Sequence, residues 1–164
     1  MQNKWIYPLG LIIVLFLAFY FYRKYRVAPE LELESLQVMD LNGKGVDITS
    51  IKGKKTMLCF GASWCGPCRE ELKVIHSIKE TELSDIDVVV ISDEPLERVQ
   101  AFRDHTNYSF SWLKLKQPFS QIGINSIPTT YLVNADGKVV KKTVGYINWK
   151  DPSTVMYMKK LMEQ

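Results

Sequence analysis

The sequence predicts an α/β fold: a mixed central sheet flanked by helices, an N-terminal β-hairpin in front of it, and a single transmembrane helix at the amino end. Three stretches carry that prediction. An apolar run, Thr56 to Phe60, leads into Trp64-Cys65-Gly66-Pro67-Cys68, and then into helical periodicity at Leu72, Ile75, Ile78 and Leu83. A second run, Ile86 to Ile91, is apolar at nearly every position, as a parallel strand buried on both faces requires. The third, Trp5 to Tyr22, carries no charge at all.

At 164 residues the chain holds one domain plus an extension. Its formal charge of +3 is set by the amino end, where Lys4, Arg23, Lys24 and Arg26 flank the apolar stretch. The remainder carries 17 basic against 18 acidic residues, so nothing points to nucleic acid. Three cysteines, two of them in one short motif, do not form a structural disulfide framework.

Taken in order, residues 5–22 as a helix span roughly 27 Å at about 1.5 Å per residue, near the hydrocarbon thickness of a bilayer. Trp5, Tyr7, Tyr20 and Tyr22 stand at the two ends, where an aromatic belt belongs. A cleaved signal peptide has a shorter apolar core and a small-x-small site, and Val27-Ala28-Pro29 is a poor match. Residues 1–26 therefore read as an uncleaved single-pass membrane anchor. Counted literally, the flanking cations lean by about one charge towards a cytoplasmic domain.

Residues 27–35, with Pro29 and alternating acids Glu30, Glu32 and Glu34, read as a solvated tether, and residues 36–164 as the domain. Asn42-Gly43-Lys44-Gly45 is a turn signal between Leu36–Val38 and Val46–Ile48, which predicts a hairpin. Thr56–Gly61 is the central strand, and the helix after Cys68 is expected to reach Leu83. Strand Ile86–Ile91, helix Pro95–His105, an extended Phe110–Leu115 and a short helix Phe119–Ile122 follow. Strands Thr129–Val133 and Lys138–Gly145 are joined at Asn134-Ala135-Asp136-Gly137, and Pro152–Met162 is the last helix.

A Cys-x-x-Cys between a strand and a helix reads as a redox site. The helix N-terminus offers unpaired N–H groups and a partial positive charge, and both favour a thiolate. Cys65 at that end would be the exposed attacking sulfur, and Cys68, one turn in, the shielded resolving one. Pro67 fits the first turn, where its missing N–H costs nothing. A zinc site would need two further ligands, and Cys59, His76 and His105 have no matching spacing, so no metal is expected.

Trp-Cys-Gly-Pro-Cys is also the active-site sequence of thioredoxins. The wider stretch Leu58–Glu71, LCFGASWCGPCREE, resembles the membrane-anchored TlpA/ResA-type thiol-disulfide oxidoreductases, a likeness that extends over residues 35–163. The resemblance implies a thioredoxin-like mixed central sheet, dithiol exchange on protein disulfides without organic cofactor or metal, and an upstream membrane or soluble dithiol donor. It also implies a domain outside the cytoplasmic membrane, against the lean of the flanking charges. Gly-Pro between the cysteines resembles the reducing members, which among ResA-like relatives serve maturation of c-type cytochromes.

Residue by residue, Ile127-Pro128-Thr129 matches the segment that in thioredoxins holds a cis-proline opposite the disulfide, leaving the backbone of Ile127 to pair with a substrate. Gly145 would let the partner's backbone approach, and Trp64 would shape the contact surface. Thioredoxins carry a buried aspartate six residues before the first cysteine, and here that position is Cys59. Two readings stand for Cys59, a buried apolar filler and a partner for Cys68 in an alternative disulfide. Glu71 matches a glutamate of the TlpA/ResA-like proteins that tunes the thiols and passes protons. Those proteins often have proline two residues further on, where this chain has Lys73. The resulting reading is a membrane-tethered disulfide reductase. Its alternatives are a thiol peroxidase, which would want threonine where Ala62 stands, and a non-enzymatic binding module.

Overall fold

A computed structural model describes residues 6–163. Lys4 and Trp5, assigned above to the membrane flank and its aromatic belt, lie outside them. Helix α1, Ile6–Arg26, is followed by strands β1 (Val38–Met39), β2 (Gly45–Val46) and β3 (Lys55–Phe60). Then come α2 (Gly66–Ile78), β4 (Ile86–Ser92), α3 (Leu96–Thr106), β5 (Ser111–Leu115), β6 (Thr129–Val133), β7 (Val139–Val144) and α4 (Pro152–Leu161). The strands form one seven-stranded sheet in the order β2-β1-β5-β4-β3-β6-β7. β3 pairs parallel with β4 and antiparallel with β6, so the sheet is mixed, as expected.

β3 is the partition on which the domain is built. Met57 and Cys59 point to one face, into a core with Leu72, Ile75 and Trp149. Leu58 and Phe60 point to the other, into a core with Val38, Phe119 and Tyr131. A strand packed on both faces needs apolar side chains at successive positions, which is why the Thr56–Phe60 run does not alternate. The hairpin is shorter than its apolar flanks suggested, with only Val38↔Val46 and Met39↔Gly45 paired. Asp40 closes its turn by accepting the N–H groups of Asn42 and Lys44, both at 2.9 Å. It is fused to the sheet through Val38↔Leu115.

Two expectations are corrected. The segment 27–35 is solvated on one side only: Ala28 and Leu33 are buried, Leu33–Ser35 forms a 3-10 turn, and the Tyr131 hydroxyl donates to the Pro29 carbonyl at 3.2 Å. Glu30 also pairs with Lys142. The alternation Glu30-Leu31-Glu32-Leu33-Glu34 is a one-face pattern, with the acids exposed and Leu33 seated in the core. Only Val27 stands between the end of α1 and the first buried residue, Ala28. α2 ends at Ile78 rather than Leu83, because the chain turns there and drops Leu83 into the core as a wholly buried plug.

α1 continues past Tyr22 to Arg26 and ends in Arg23, Lys24 and Arg26. Its segment Pro8–Arg26 has mean hydropathy 1.3 and none of it is buried, so by length and composition it is a candidate membrane span.

Candidate active site

The strand-to-helix turn after β3 sets the reactive pair. Cys65 is the residue that caps α2, and its Sγ accepts the Cys68 N–H at 3.2 Å. Pro67 sits in the first turn, where no donor is wasted. The two sulfurs form a disulfide with the Cα atoms 5.3 Å apart. The sequence predicts an exposed sulfur on Cys65. In this oxidised form the residue is only 4% exposed, because its side chain packs with Ala62, Cys68 and Ile127.

The Ile127–Pro128 peptide is cis, and Ile127 is half-buried against the disulfide. Gly145 has φ +93° and donates its N–H to the Pro128 carbonyl at 2.8 Å. The space around it is open, so glycine is required here by the left-handed backbone rather than by crowding. Gly145→Ala is expected to cost about 1–2 kcal/mol in a denaturant titration. Trp64 is 71% exposed and so belongs to the surface, not the core. It lines a groove of about 400 Å³ with Ile127, Phe119 and Asn125, closed on one side by Lys24 and Tyr25 of α1.

Glu71 lies beneath the disulfide, 2% exposed. Its Oε1 accepts the Trp149 indole N–H at 2.9 Å, while Oε2 has no partner. Burial pushes its pKa up to about 7, and the Trp149 bond offsets only part of that. With Cys59, Cys68, Pro128 and Thr130, it lines a cavity of about 10 Å³. That is room on the order of one water molecule. Cys59 is a free, buried thiol whose pKa is pushed well up, by burial first and by the neighbouring Glu71 carboxylate second. α2 runs through Lys73 without interruption, so Glu71 keeps regular helical register.

Two contributors escaped the sequence reading. Trp149 gave no motif, although a buried indole N–H requires an acceptor and Glu71 is the one it finds. Glu94, 9% exposed, holds the loop in front of Cys65. Its carboxylate accepts the Ser63 N–H at 2.6 Å and the Ser63 hydroxyl at 2.8 Å. No spacing rule links Glu94 to Ser63 across the sheet. Glu94→Ala leaves that N–H unpaired and is expected to destabilise the oxidised protein by about 1–3 kcal/mol, with Glu94→Gln losing less. Chemical denaturation of the two variants measures the difference.

What the pair can do is dithiol exchange, and comparison with known proteins agrees. The model of the AhpC/TSA family matches residues 26–142. The thioredoxin-like protein YneN of Bacillus subtilis is 26% identical over 164 residues, covering 92% of this chain and 95% of that protein. The thiol-disulfide oxidoreductase ResA of Bacillus subtilis is 30% identical over 122 residues, covering 72% of this chain and 65% of ResA. Among solved structures, StoA from Bacillus subtilis shares the fold at a TM-score of 0.57 and 23% identity, over 78% of this chain and 98% of StoA. With the Cys65–Cys68 disulfide at the head of α2, the chain belongs to the AhpC/TSA family, as a thiol-disulfide oxidoreductase of the thioredoxin fold.

Proposed function

We propose that this oxidoreductase is a membrane-tethered disulfide reductase, anchored through α1 with residues 36–164 working on the extracytoplasmic side. The observation that carries the reading is the Cys68 N–H aimed at Cys65 Sγ at the start of α2, an arrangement that stabilises a thiolate on Cys65 once the pair is reduced. The Cys65 thiolate attacks one sulfur of a client's disulfide. A mixed disulfide forms and the client's other sulfur leaves as a thiolate. Cys68 then attacks Cys65 Sγ, its proton passing to Glu71, and the client departs with two electrons gained. The Cys65–Cys68 disulfide is returned to the dithiol by an upstream donor. Trp64, Ile127, Pro128 and Gly145 would form the contact surface for an extended client segment. Neither a metal nor an organic cofactor enters these steps.

A tethered reductase is most useful where cytosolic thioredoxin cannot reach, which favours the extracytoplasmic side over the small excess of charge after α1. Expressing Cys68→Ser in cells tests both halves, since mixed disulfides on Cys65 then persist. Extracytoplasmic clients are expected in the trap. Cytosolic clients alone would overturn the sidedness, and an empty trap would overturn the exchange. For a peroxidase, the position three residues before Cys65 offers only the buried methyl of Ala62, with no hydroxyl for a peroxide. Peroxide consumption is expected to be no faster than that of Cys65→Ser.

A further inference from the structure

Resting on that reading, we propose that a cationic groove beside the disulfide receives an acidic segment of the polypeptide whose disulfide is exchanged. The groove, about 490 Å³, runs between α2 and α3. It begins at Ser63 and Gly66, on either side of the Trp64-Cys65 dipeptide, and continues past Arg69, Lys73 and Arg98. It shares no lining residue with the groove along Trp64 and Ile127, so a client can occupy both at once.

The charge in it is unusual for this domain. From Val27 onward the chain is nearly neutral, yet here three exposed cations converge. Among the described residues, none of the three has a carboxylate within 4.0 Å, whereas Lys54, Lys55, Arg103, Lys142 and Lys159 all do. The only carboxylate lining the groove, Glu70, lies 4.0 Å from Lys150. Arg69 and Lys73 stand four residues apart on α2, and like charges at that spacing weaken a helix. Phe102 and Tyr108 give the groove an apolar floor. A concave, cationic surface with aromatic carbon beneath it matches acidic side chains on an extended peptide. Being exposed, the cations act mainly on encounter, raising the rate at which a complementary segment is captured.

The test uses the full chain in nanodiscs of zwitterionic lipid, pre-reduced and followed through one turnover. Three synthetic peptides each carry one disulfide, flanked by Asp and Glu, by Ser and Gly, or by Lys. Hydroxyethyl disulfide, small and neutral, reports on Cys65 and Cys68 alone. The acidic peptide is expected to react about tenfold faster than the neutral one at low salt, a preference that fades at about 0.5 M salt. The double variant Lys73→Glu/Arg98→Glu is expected to reverse the order in favour of the Lys peptide, with hydroxyethyl disulfide within about twofold of the parent. Equal rates for all three peptides in the parent, or a preference that survives the double variant, would overturn the proposal. Failure to reduce hydroxyethyl disulfide would instead overturn the reading of the cysteine pair. If the double variant leaves peptide selectivity unmoved but loosens the domain from anionic nanodiscs, the groove faces lipid and the proposal falls.

Discussion

Cys65→Ser lowers the rate of the first exchange step by about 10³-fold or more, while Cys68→Ser leaves that step intact and stops turnover. The asymmetry follows from where the two sulfurs sit. Only Cys65 caps α2, so only its sulfur is met by an N–H and by the positive end of the helix. A serine hydroxyl in the same place stays protonated, because the helix end lowers a pKa by a few units at most, far short of what an alcohol needs. Cys68→Ser keeps the backbone N–H that faces Cys65, so the thiolate survives and attacks once. Without a second sulfur, the mixed disulfide then has no internal exit. Stopped-flow kinetics with mass spectrometry separate the two behaviours: one variant yields no adduct, the other a stable one. If both variants lost the first step equally, the attacker and the resolver would be misassigned. The Cys65 thiolate is also expected to titrate below the ordinary free cysteine value of about 8.5.

Much of this was legible because it is local. The short apolar run Met57–Phe60, ending just before the Cys-x-x-Cys turn, reads as a strand buried on both faces, and β3 is one, with Met57 and Leu58 packed into opposite cores. Turn chemistry at Gly43 and Gly137 placed both hairpins, and each glycine has the positive φ its turn requires. The cis Ile127–Pro128 bond followed from the family resemblance and not from any periodicity. What sequence order hides is contact between distant segments. Trp149 reaches Glu71 from 78 positions away, and Glu94 reaches Ser63 from the end of the neighbouring strand. The charge of the alternating acids at 30–34 suggests a tether, whereas their spacing carries the structural information. A tether has no reason to hide every second residue, whereas a segment lying on a core does. Residue-level burial of Cys65 was likewise out of reach, since it depends on Ile127, in the loop that leads into β6, 62 residues further along the chain.

Glu71→Gln is expected to stabilise the oxidised protein at pH 8 by about 3 kcal/mol and to leave it unchanged near pH 4. Burial raises the carboxyl from its ordinary 4.5 to about 7. Between those values the folded state keeps a proton that the unfolded state has shed, so stability falls as pH rises through the interval. Below it both states are protonated and the penalty is absent; above it the penalty is complete. At 1.36 kcal/mol per pH unit, the interval amounts to about 3 kcal/mol. Glutamine preserves the acceptor for the Trp149 indole and carries no titration, so its stability should be flat across the same window. A Glu71→Gln profile that kept the slope would place its origin elsewhere. The same substitution separates a proton acceptor from a mere core residue. If Glu71 takes the Cys68 proton, release of client from the mixed disulfide loses its inflection near pH 7 in the glutamine variant, and the first step does not. In that case the buried carboxyl that lowers stability above pH 7 is also the base for Cys68, at a place where Cys59 supplies none.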